Sequence, residues 1–451
     1  MNKPSSSNST AISLRHVALA SALCCASLAH AQSGPSVTLY GLADVGITST
    51  SGMKAGTVTQ VASGIMEGSR WGLKGSEDLG GGYKAIFTLE SRVELDTGAN
   101  SNRPISGSQL SDRFSSATLL GLPTDAQFRA LTGLPAAAFP DGTMQGTVSK
   151  VDLALANEFG VNVGASGNRT FDRQAYVGLI TPVGAVLAGR MYTPAFETNV
   201  AYDIMETQSG LSAGQIVAFP AVLEIRKSNA LQYRIVKDGI SGAFMYAMGE
   251  VAGDVSKGRM LGLNANYKTG PFSVGFGYNQ ANNELGQKSL TTSVLGASMN
   301  FGEDKLTGMA IKITDDNPSG LTAISGLIAP PGSAAPTIAF ANLIQSRFIN
   351  AFKQDGTLLH IGYRHVMGPH TMSVAYTTYD DKRPANADVS SYGAAYTYAL
   401  SKRTDLNAVF VHYDNKNGAQ VAPGGNGYIG GVTASAGTDS NGVAFGIRHR
   451  F

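Results

Sequence analysis

The stretch LGLNANYKTGPFSVGFGYN, residues 261–279, shows a pattern that most of the chain repeats. Large apolar or aromatic side chains and alanine occupy every second position, and glycine, asparagine, serine or lysine stand between them. An alternation with a period of two is typical of a β-strand with one apolar and one polar face. The turn at Thr269-Gly270 separates the two runs, so the stretch predicts an antiparallel hairpin.

The same alternation predicts sixteen strands. They lie near residues 37–48, 68–77, 83–94, 171–180, 184–192, 225–236, 240–250, 259–268, 271–281, 289–301, 305–314, 357–366, 370–380, 389–400, 403–414 and 441–451. Tight turns alternate with long connections at 49–67, 95–170, 193–224, 315–356 and 415–440. Turns on one rim and loops on the other are typical of outer-membrane barrels, whose closure pairs every backbone group inside the bilayer. We therefore predict an all-β fold, a transmembrane antiparallel β-barrel of 16 strands with short periplasmic turns and long extracellular loops.

The first 31 residues have the pattern of an export signal. Lys3 and Arg15 precede an apolar run at 17–28, which ends in the cleavage-type sequence Ala29-His30-Ala31. We expect residues 1–31 to be a cleaved signal peptide and residues 32–451 to form a single barrel domain. Both cysteines, Cys24 and Cys25, lie in the signal, so the mature chain is expected to lack disulfides and thiolate sites.

Composition excludes several classes of function. Hydrophobic residues make up 43% of the chain and charged residues 15%, which argues against disorder. The 34 Lys and Arg residues nearly balance the 32 Asp and Glu residues, so no basic surplus points to nucleic acid. The five histidines after residue 31 do not converge, and no metal-ligand spacing, nucleophile motif or phosphate-binding loop is found. The sequence therefore predicts no enzyme, no cofactor and no metal site.

Several motifs resemble the general porins of Gram-negative bacteria, in the trimeric sixteen-stranded group typical of the beta-proteobacteria. They are VTLYGLAD at 37–44, SRWGLKGSEDLGGG at 69–82, DRQAYVGL at 172–179, GRMYTP at 189–194, LSKRT at 400–404 and GIRHRF at 446–451. Each motif alone is weakly specific, but together they span nearly the whole mature chain in order. The resemblance implies a homotrimer in contact with outer-membrane lipid and lipopolysaccharide, which passes small hydrophilic solutes and ions and binds no nucleic acid.

The resemblance also implies a pore constriction. The third loop, residues 194–224, is expected to fold into the lumen, where its acidic groups face a basic wall and the field between them selects solutes. By local match, the basic residues are Arg70, Arg173 and Arg226, with Arg190 beside them. The acidic residues are Glu197, Asp203, Glu206 and Glu224. Strand parity independently turns Arg70, Glu90 and Arg92 away from the apolar face, where an arginine costs roughly 2–4 kcal/mol at the bilayer midplane.

Phe451 ends the last strand, and the resemblance implies that this residue is the signal read by the barrel-assembly machinery. An ordinary lipid-facing anchor is the alternative interpretation.

The second loop, residues 95–170, is longer than the resemblance leads us to expect. Within it, residues 124–133 predict a capped helical turn between Pro123 and Pro135. The loop could cover the pore, strengthen the trimer or form a surface epitope. Two other functions also stay open: a substrate-specific channel that uses Tyr192, Phe196 and Tyr202, and an adhesin or receptor anchored by the barrel. The ion preference stays open as well, because local fields outweigh net charge.

Overall fold

The computed structural model describes residues 36–102, 110–158, 163–164, 169–217, 224–425 and 430–451. The expected signal peptide at 1–31, including both cysteines, lies outside these residues. The described strands are β1 (Ser36–Met53), β2 (Gly56–Ser63), β3 (Arg70–Gly80), β4 (Tyr83–Arg92), β5 (Ser101–Asn102), β6 (Val163–Gly164), β7 (Gln174–Thr181), β8 (Gly184–Tyr192), β9 (Arg226–Lys237), β10 (Ile240–Ala247), β11 (Met260–Thr269), β12 (Phe272–Asn282), β13 (Lys288–Phe301), β14 (Asp304–Asp315), β15 (Gln354–Met367), β16 (His370–Asp381), β17 (Val389–Ala399), β18 (Thr404–Asn415) and β19 (Ser440–Arg450).

The strands form one closed antiparallel barrel. Strand β3 pairs with β4, β4 pairs with β7, and from β7 to β19 each strand pairs with the next. Strand β19 pairs with β1 from Leu42↔Arg450 to Thr50↔Gly442, which closes the wall. Both β2 and β3 pair with β1, so they occupy a single position in the wall. Apart from the short pair β5 and β6, the described strands therefore fill sixteen wall positions. All sixteen predicted strands are confirmed.

The connection predicted at 49–67 is wrong as a long loop. Strand β1 continues to Met53, two residues turn the chain, and β2 returns along β1. The run Thr57-Val58-Thr59 favours a strand because β-branched side chains suit a pleated surface. Gly52 and Gly56 adopt positive φ angles of 77° and 87°, which other residues rarely adopt, and they flank the tight turn. Residues 64–69 leave the sheet before β3 begins.

One face of the wall carries exposed apolar side chains. Examples from neighbouring strands are Leu263, Val274, Phe276, Leu295, Ile361 and Val374. Such a band is expensive in water and matches the hydrocarbon of a bilayer. The alternate positions carry glycine and polar residues and form the lumenal face.

The connections sort by length, as predicted. Over the described ranges, seven turns of two to four residues join strands at one end of the barrel, for example Gly270-Pro271 between β11 and β12. The longer connections lie at the other end. The described helices are α1 (Asp112–Ser115), α2 (Asp125–Thr132), α3 (Thr143–Glu158), α4 (Pro194–Tyr202), α5 (Ile324–Ile328) and α6 (Ala335–Phe352), with a 3-10 turn at Ala213–Ile216. None of these described helices is long and apolar enough to cross a membrane.

Two of the long connections share one apolar core, which we call the cap (residues 110–158 and 316–353). Its buried members include Phe114, Phe128, Phe139, Met144, Val148, Leu321, Ile324, Phe340, Ile344, Phe348 and Phe352. The predicted helical turn at 124–133 is confirmed as α2. The Thr124 side chain accepts from the Gln127 amide, and Gly133 ends the helix at φ 70°. Helices α3 and α6 were not predicted.

The connection after β8 packs against the glycine-rich face of the wall, and we call residues 193–217 the inner segment. Helix α4 lies over glycines of β11, β12 and β13. A Cβ atom at Gly296 would stand 2.3 Å from Tyr202 Cγ, and one at Gly277 would stand 2.5 Å from Thr198 Oγ1. Glycine in these strands therefore lets the helix backbone approach the wall closely.

Candidate functional site

Glu90 on β4 joins two of the predicted wall arginines. Its Oε1 lies 2.7 Å from Arg173 Nε, and its Oε2 lies 3.6 Å from Arg70 Nε. The Tyr40 hydroxyl donates to Oε2 at 3.0 Å. Arg70 and Arg173 are both buried beside Glu90, although they are 103 positions apart in the chain. Adjacent strands of the barrel bring them together.

Tyr192 at the end of β8 joins Arg173 to Arg226. Its hydroxyl accepts from Arg173 Nη2 at 3.2 Å and from Arg226 Nη2 at 3.1 Å. The Arg226 guanidinium also lies over the Tyr192 ring, 4.7 Å from the centroid, a cation–π geometry. Phe196 of the inner segment stacks on the same tyrosine at 5.3 Å. This aromatic pair connects the wall to the inner segment.

Arg190 and Arg92 extend the group. Arg190 Nε donates to the Asp172 carbonyl at 2.7 Å, and Arg190 Nη1 donates to Ser228 Oγ at 3.0 Å. Arg92 lies 3.1 Å from Glu94 and 3.8 Å from Asp172. We call Arg70, Arg92, Arg173, Arg190 and Arg226 the arginine cluster. Among the described residues, its members Arg190 and Arg226 form no ion pair with a carboxylate.

Two of the predicted acidic residues lie at the ends of the 194–224 loop. Glu197 in α4 pairs with Arg234 on β9 and accepts from Asn264 Nδ2 at 3.3 Å. Glu224, just before β9, pairs with Lys227 at 2.7 Å. Both carboxylates are therefore matched with basic residues outside the arginine cluster.

The other two predicted acids also have their own partners. Asp203 accepts backbone hydrogen bonds within the inner segment, from the amides of Met205 at 3.0 Å, Thr207 at 3.0 Å and Ala213 at 3.2 Å. Its Oδ1 lies 3.6 Å from His360 Nε2 on β15. Glu206 pairs with Arg364 of the same strand at 2.8 Å. In the described ranges, no ion pair joins these four acids to Arg70, Arg173, Arg190 or Arg226.

Glu67 is the carboxylate that the sequence analysis missed. It lies in the segment between β2 and β3, and its Oε2 is 3.8 Å from Arg70, 3.7 Å from Arg448 and 3.5 Å from Arg450. Arg448 and Arg450 also pair with Asp405 at 3.0 Å each. In the last strand Arg448 and Arg450 alternate with Ile447 and Phe451, and this polar parity is a signal in the sequence for the second group.

Phe451 lies where the barrel closes. Its amide donates to the Gly41 carbonyl at 3.1 Å, and the Gly41 amide donates to the Phe451 carbonyl at 3.0 Å. The ring packs over Gly41, where a Cβ atom would come within 2.2 Å of Phe451 Cζ. The terminal residue thus continues the pairing of β19 with β1.

Sequence comparisons match nearly the whole chain to porins. A family profile described as Gram-negative porin matches residues 17–418. Outer membrane porin protein 32 of Delftia acidovorans is 26% identical over 434 residues, which cover 92% of this chain and 94% of that protein. An outer membrane porin protein of Bordetella pertussis is 25% identical over 463 aligned residues, which cover 97% of this chain and 100% of that protein.

Structure comparisons give the same fold. The anion-selective porin from Comamonas acidovorans superposes with a TM-score of 0.62 at 23% identity, covering 92% of this chain and 100% of that one. The trimer form of OmpT from Vibrio cholerae superposes with a TM-score of 0.55 at 12% identity, covering 93% of this chain and 100% of that one.

Proposed function

The chain belongs to the Gram-negative porin family, and on that premise we propose that it is a diffusion channel for small hydrophilic solutes and ions, with anions favoured. Porins are channels of the outer membrane and not enzymes, as the sequence predicted. The arginine cluster supports the preference for anions. Arg190 and Arg226 lack a carboxylate partner among the described residues, so their charge is not neutralised by direct contact.

The four acids of the 194–224 loop have a different part in this proposal. Three of them pair with Arg234, Arg364 and Lys227, and Asp203 accepts amides of its own segment. They fix the inner segment and the foot of β9 to the wall, and the arginine cluster is left to set the local field. In a lumen with low-dielectric walls, fixed charges concentrate ions of opposite sign. The Comamonas porin carries the description anion-selective, which is the direction that this charge arrangement favours.

The expected assembly is a homotrimer in a bilayer with lipopolysaccharide. The fold is shared with the Vibrio protein described in a trimer form, and this supports the proposal. The continuous pairing of Phe451 with Gly41 is compatible with a final strand that the barrel-assembly machinery recognises.

The first test is single-channel recording of the purified protein in a planar bilayer under a salt gradient. We expect openings that close in three equal steps and a reversal potential whose sign shows that anions permeate faster than cations. Folded protein that never opens would contradict the proposal and favour a surface receptor anchored by the barrel.

Arg226→Glu tests the cluster directly. Because Arg226 has no carboxylate partner among the described residues, its replacement does not leave a buried acid without its cation. We expect the ratio of anion to cation permeability to fall by roughly threefold to tenfold, since a positive charge beside the lumen becomes negative. Arg226→Gln should give an intermediate value.

Arg403→Glu is the matched control for Arg226→Glu. Arg403 is exposed in a turn at the short-turn end of the barrel, so the same charge change there should move the reversal potential far less. Equal shifts for the two variants would show that the cluster has no special role.

A further inference from the structure

The wall is interrupted between β2 and β3. Ser63 at the end of β2 pairs with Val45, and Arg70 at the start of β3 pairs with Leu42. Six residues, 64–69, therefore stand opposite only two residues of β1. A surplus of this size cannot remain in the sheet plane. We call residues 64–69 the wall bulge.

The wall bulge turns into the lumen and touches the inner segment. Ile65 and Met66 are buried in the same apolar group as Ile204, Met205 and Leu211. The Ser209 amide donates to the Met66 carbonyl at 3.0 Å. Gln208 Nε2 donates to Glu67 Oε1 at 3.1 Å. The bulge is thus a support for residues 206–211, which we call the tip of the inner segment.

Asp44 on β1 holds the wall bulge. Its Oδ1 accepts from the Ile65 amide at 3.0 Å, and its Oδ2 accepts from the amides of Met66 at 2.9 Å and Glu67 at 2.8 Å. Its carbonyl accepts from the Gly64 amide at 2.7 Å. A carboxylate that accepts three successive amides fixes the backbone of a loop as a bound anion does in a nest. Asp44 is fully buried, so water does not compete for these bonds.

The tip needs external support. Glu206, Thr207 and Ser209 have φ angles of 55°, 63° and 63°, in the left-handed region that residues other than glycine rarely adopt. Such backbone persists only where its surroundings hold it. Arg364 holds Glu206, the Tyr413 hydroxyl donates to the Gly210 carbonyl at 2.6 Å, and the wall bulge holds residues 208 and 209.

We infer that Asp44 is a positioning residue for the constriction: through the wall bulge it sets both the place of the tip and the place of the Glu67 carboxylate. This inference rests on the proposed function as a channel. Asp44 does not act on the solute itself. It fixes Glu67 between Arg70, Arg448 and Arg450, at distances of 3.5 to 3.8 Å. Glu67 thus adds to the negative charge that Glu90 and Asp405 bring to the same arginines. The negative charge that faces Arg70 of the arginine cluster therefore comes from the wall and the wall bulge and not from the inner segment.

Asp44→Asn is the principal variant. An asparagine keeps one oxygen acceptor and replaces the other with an NH2 donor, so at least one of the three backbone amides that Asp44 binds loses its acceptor, and the support of the wall bulge and the tip is weakened. We expect single-channel conductance to rise by about 1.5-fold and the reversal potential to shift in the direction of greater anion selectivity. Glu67→Gln removes the charge but retains the shape, and it should move the reversal potential in the same direction with little change in conductance.

The double variant separates positioning from a direct charge effect. If Asp44 acts by placing Glu67, the reversal potential of Asp44→Asn/Glu67→Gln should equal that of Glu67→Gln alone. Additive shifts would overturn the inference, because they would mean that each carboxylate acts on ions independently. Asp304→Asn is the matched control. Asp304 accepts a hydrogen bond from the Val366 amide at 3.0 Å, beside the exposed side chains of His365 and Tyr363. Loss of its charge should change neither the conductance nor the reversal potential.

A further variant keeps the inference testable if Asp44→Asn does not fold. Gln208→Ala leaves every wall residue in place and removes the side-chain hydrogen bond from the tip to Glu67, together with the acceptor of Arg448 Nη1. Conductance should therefore still rise, by a smaller factor. Where wild-type channels open, unchanged conductance in Asp44→Asn would overturn the role of Asp44, and unchanged conductance in Gln208→Ala would overturn it where Asp44→Asn does not fold. A wild-type protein without channels would instead overturn the proposed function.

Discussion

The arginine cluster and the cap are held together by opposite kinds of contact. In the cluster, Glu90 and Tyr192 bridge arginines from separate strands, and nearly every contact is an ion pair or a hydrogen bond. In the cap, phenylalanine rings from two loops meet in an apolar core. Phe114 lies 4.8 Å from Phe352, and the rings of Phe128, Phe139 and Phe340 lie 4.7 to 5.2 Å apart.

The difference indicates how each region should respond to substitution. The cluster is mounted on strands whose backbone pairing continues around the barrel, so a side-chain change there alters the field more than the fold. The cap has no such pairing to the wall, and its helices depend on packing. We therefore expect cap substitutions to change local stability and access to the lumen, and cluster substitutions to change ion preference.

Phe348→Ala should produce the largest loss of stability. Phe348 is fully buried in α6, and truncation of a buried phenylalanine costs about 3–5 kcal/mol. We expect the cap to open while the barrel remains intact. Hydrogen exchange should accelerate in α2, α3 and α6 and stay unchanged in β11–β16, and the reversal potential should keep its wild-type value.

Leu131→Ala is the control for this prediction. Leu131 belongs to α2 but is 80% exposed, so its truncation should leave exchange in the cap unchanged. If Phe348→Ala instead lowered the melting temperature of the barrel, the cap would have to be an integral part of the barrel fold, and the contrast between the two regions would fail.

Arg113→Ala tests the attachment of the cap to the rim and should have an intermediate effect. Arg113 in α1 lies 3.3 Å from Asp381 at the end of β16. Burial, and to a smaller extent the nearby positive charge of Arg383, lowers the pKa of Arg113 to about 10. Arg383 continues to pair with Asp381 at 2.5 Å, so no buried carboxylate is left alone. The expected cost is about 1–2 kcal/mol, below that of an orphaned buried charge.

The expected readout is more frequent current fluctuations in single channels, because the cap loses one of its contacts with the rim. Arg129→Ala is the matched control, since Arg129 pairs with Asp141 inside the cap at 2.8 Å. Fluctuations that increase equally in both variants would show that Arg113 has no special role at the rim.

The sequence predicted what depends on local pattern. The alternation in β11 and β12 and the capped helical turn at 124–133 can each be recognised within about ten residues, and both were confirmed. Helices α3 and α6 were missed although their buried residues recur at helical spacing, at 144, 148, 151 and 155 and at 340, 344, 348 and 352. What the sequence could not show is that each apolar face is covered by the other loop, far away in the chain. Local pattern contains no information about that partner.

Prediction of the functional site from the sequence has the same limit: local motifs give residues but not their partners in space. Motif matches located Arg70, Arg173 and Arg226, which the barrel brings together around Glu90 and Tyr192. The partner of an acid depends on which strand the inner segment crosses. Glu206 reaches Arg364, 158 residues further along the chain, and no motif links the two. Glu67 was missed because the surplus residues between β2 and β3 resemble an ordinary loop in the sequence.

Asp152→Asn should have the smallest effect, and it depends on pH. Asp152 lies in α3, and its Oδ1 is buried without a hydrogen-bond partner among the described residues. Burial raises the pKa of Asp152 from its ordinary value of 3.8 to about 6, although Lys54 acts in the opposite direction. A raised pKa means that the folded cap binds a proton more tightly than the unfolded cap. Cap stability should therefore decrease as the pH rises from 3.8 through about 6, and level off above that.

The neutral amide removes this dependence. We expect hydrogen exchange in α3, corrected for its intrinsic rate, to be faster at pH 7.5 than at pH 5 in the wild type and equal at both values in Asp152→Asn. Asp141→Asn is the control, since Asp141 is 85% exposed by its side chain and should leave the wild-type dependence in place. Because none of these residues belongs to the arginine cluster, the reversal potential should not follow the change in cap stability. A parallel change of both quantities would mean that the cap and the cluster are coupled, and that access through the cap contributes to ion selection.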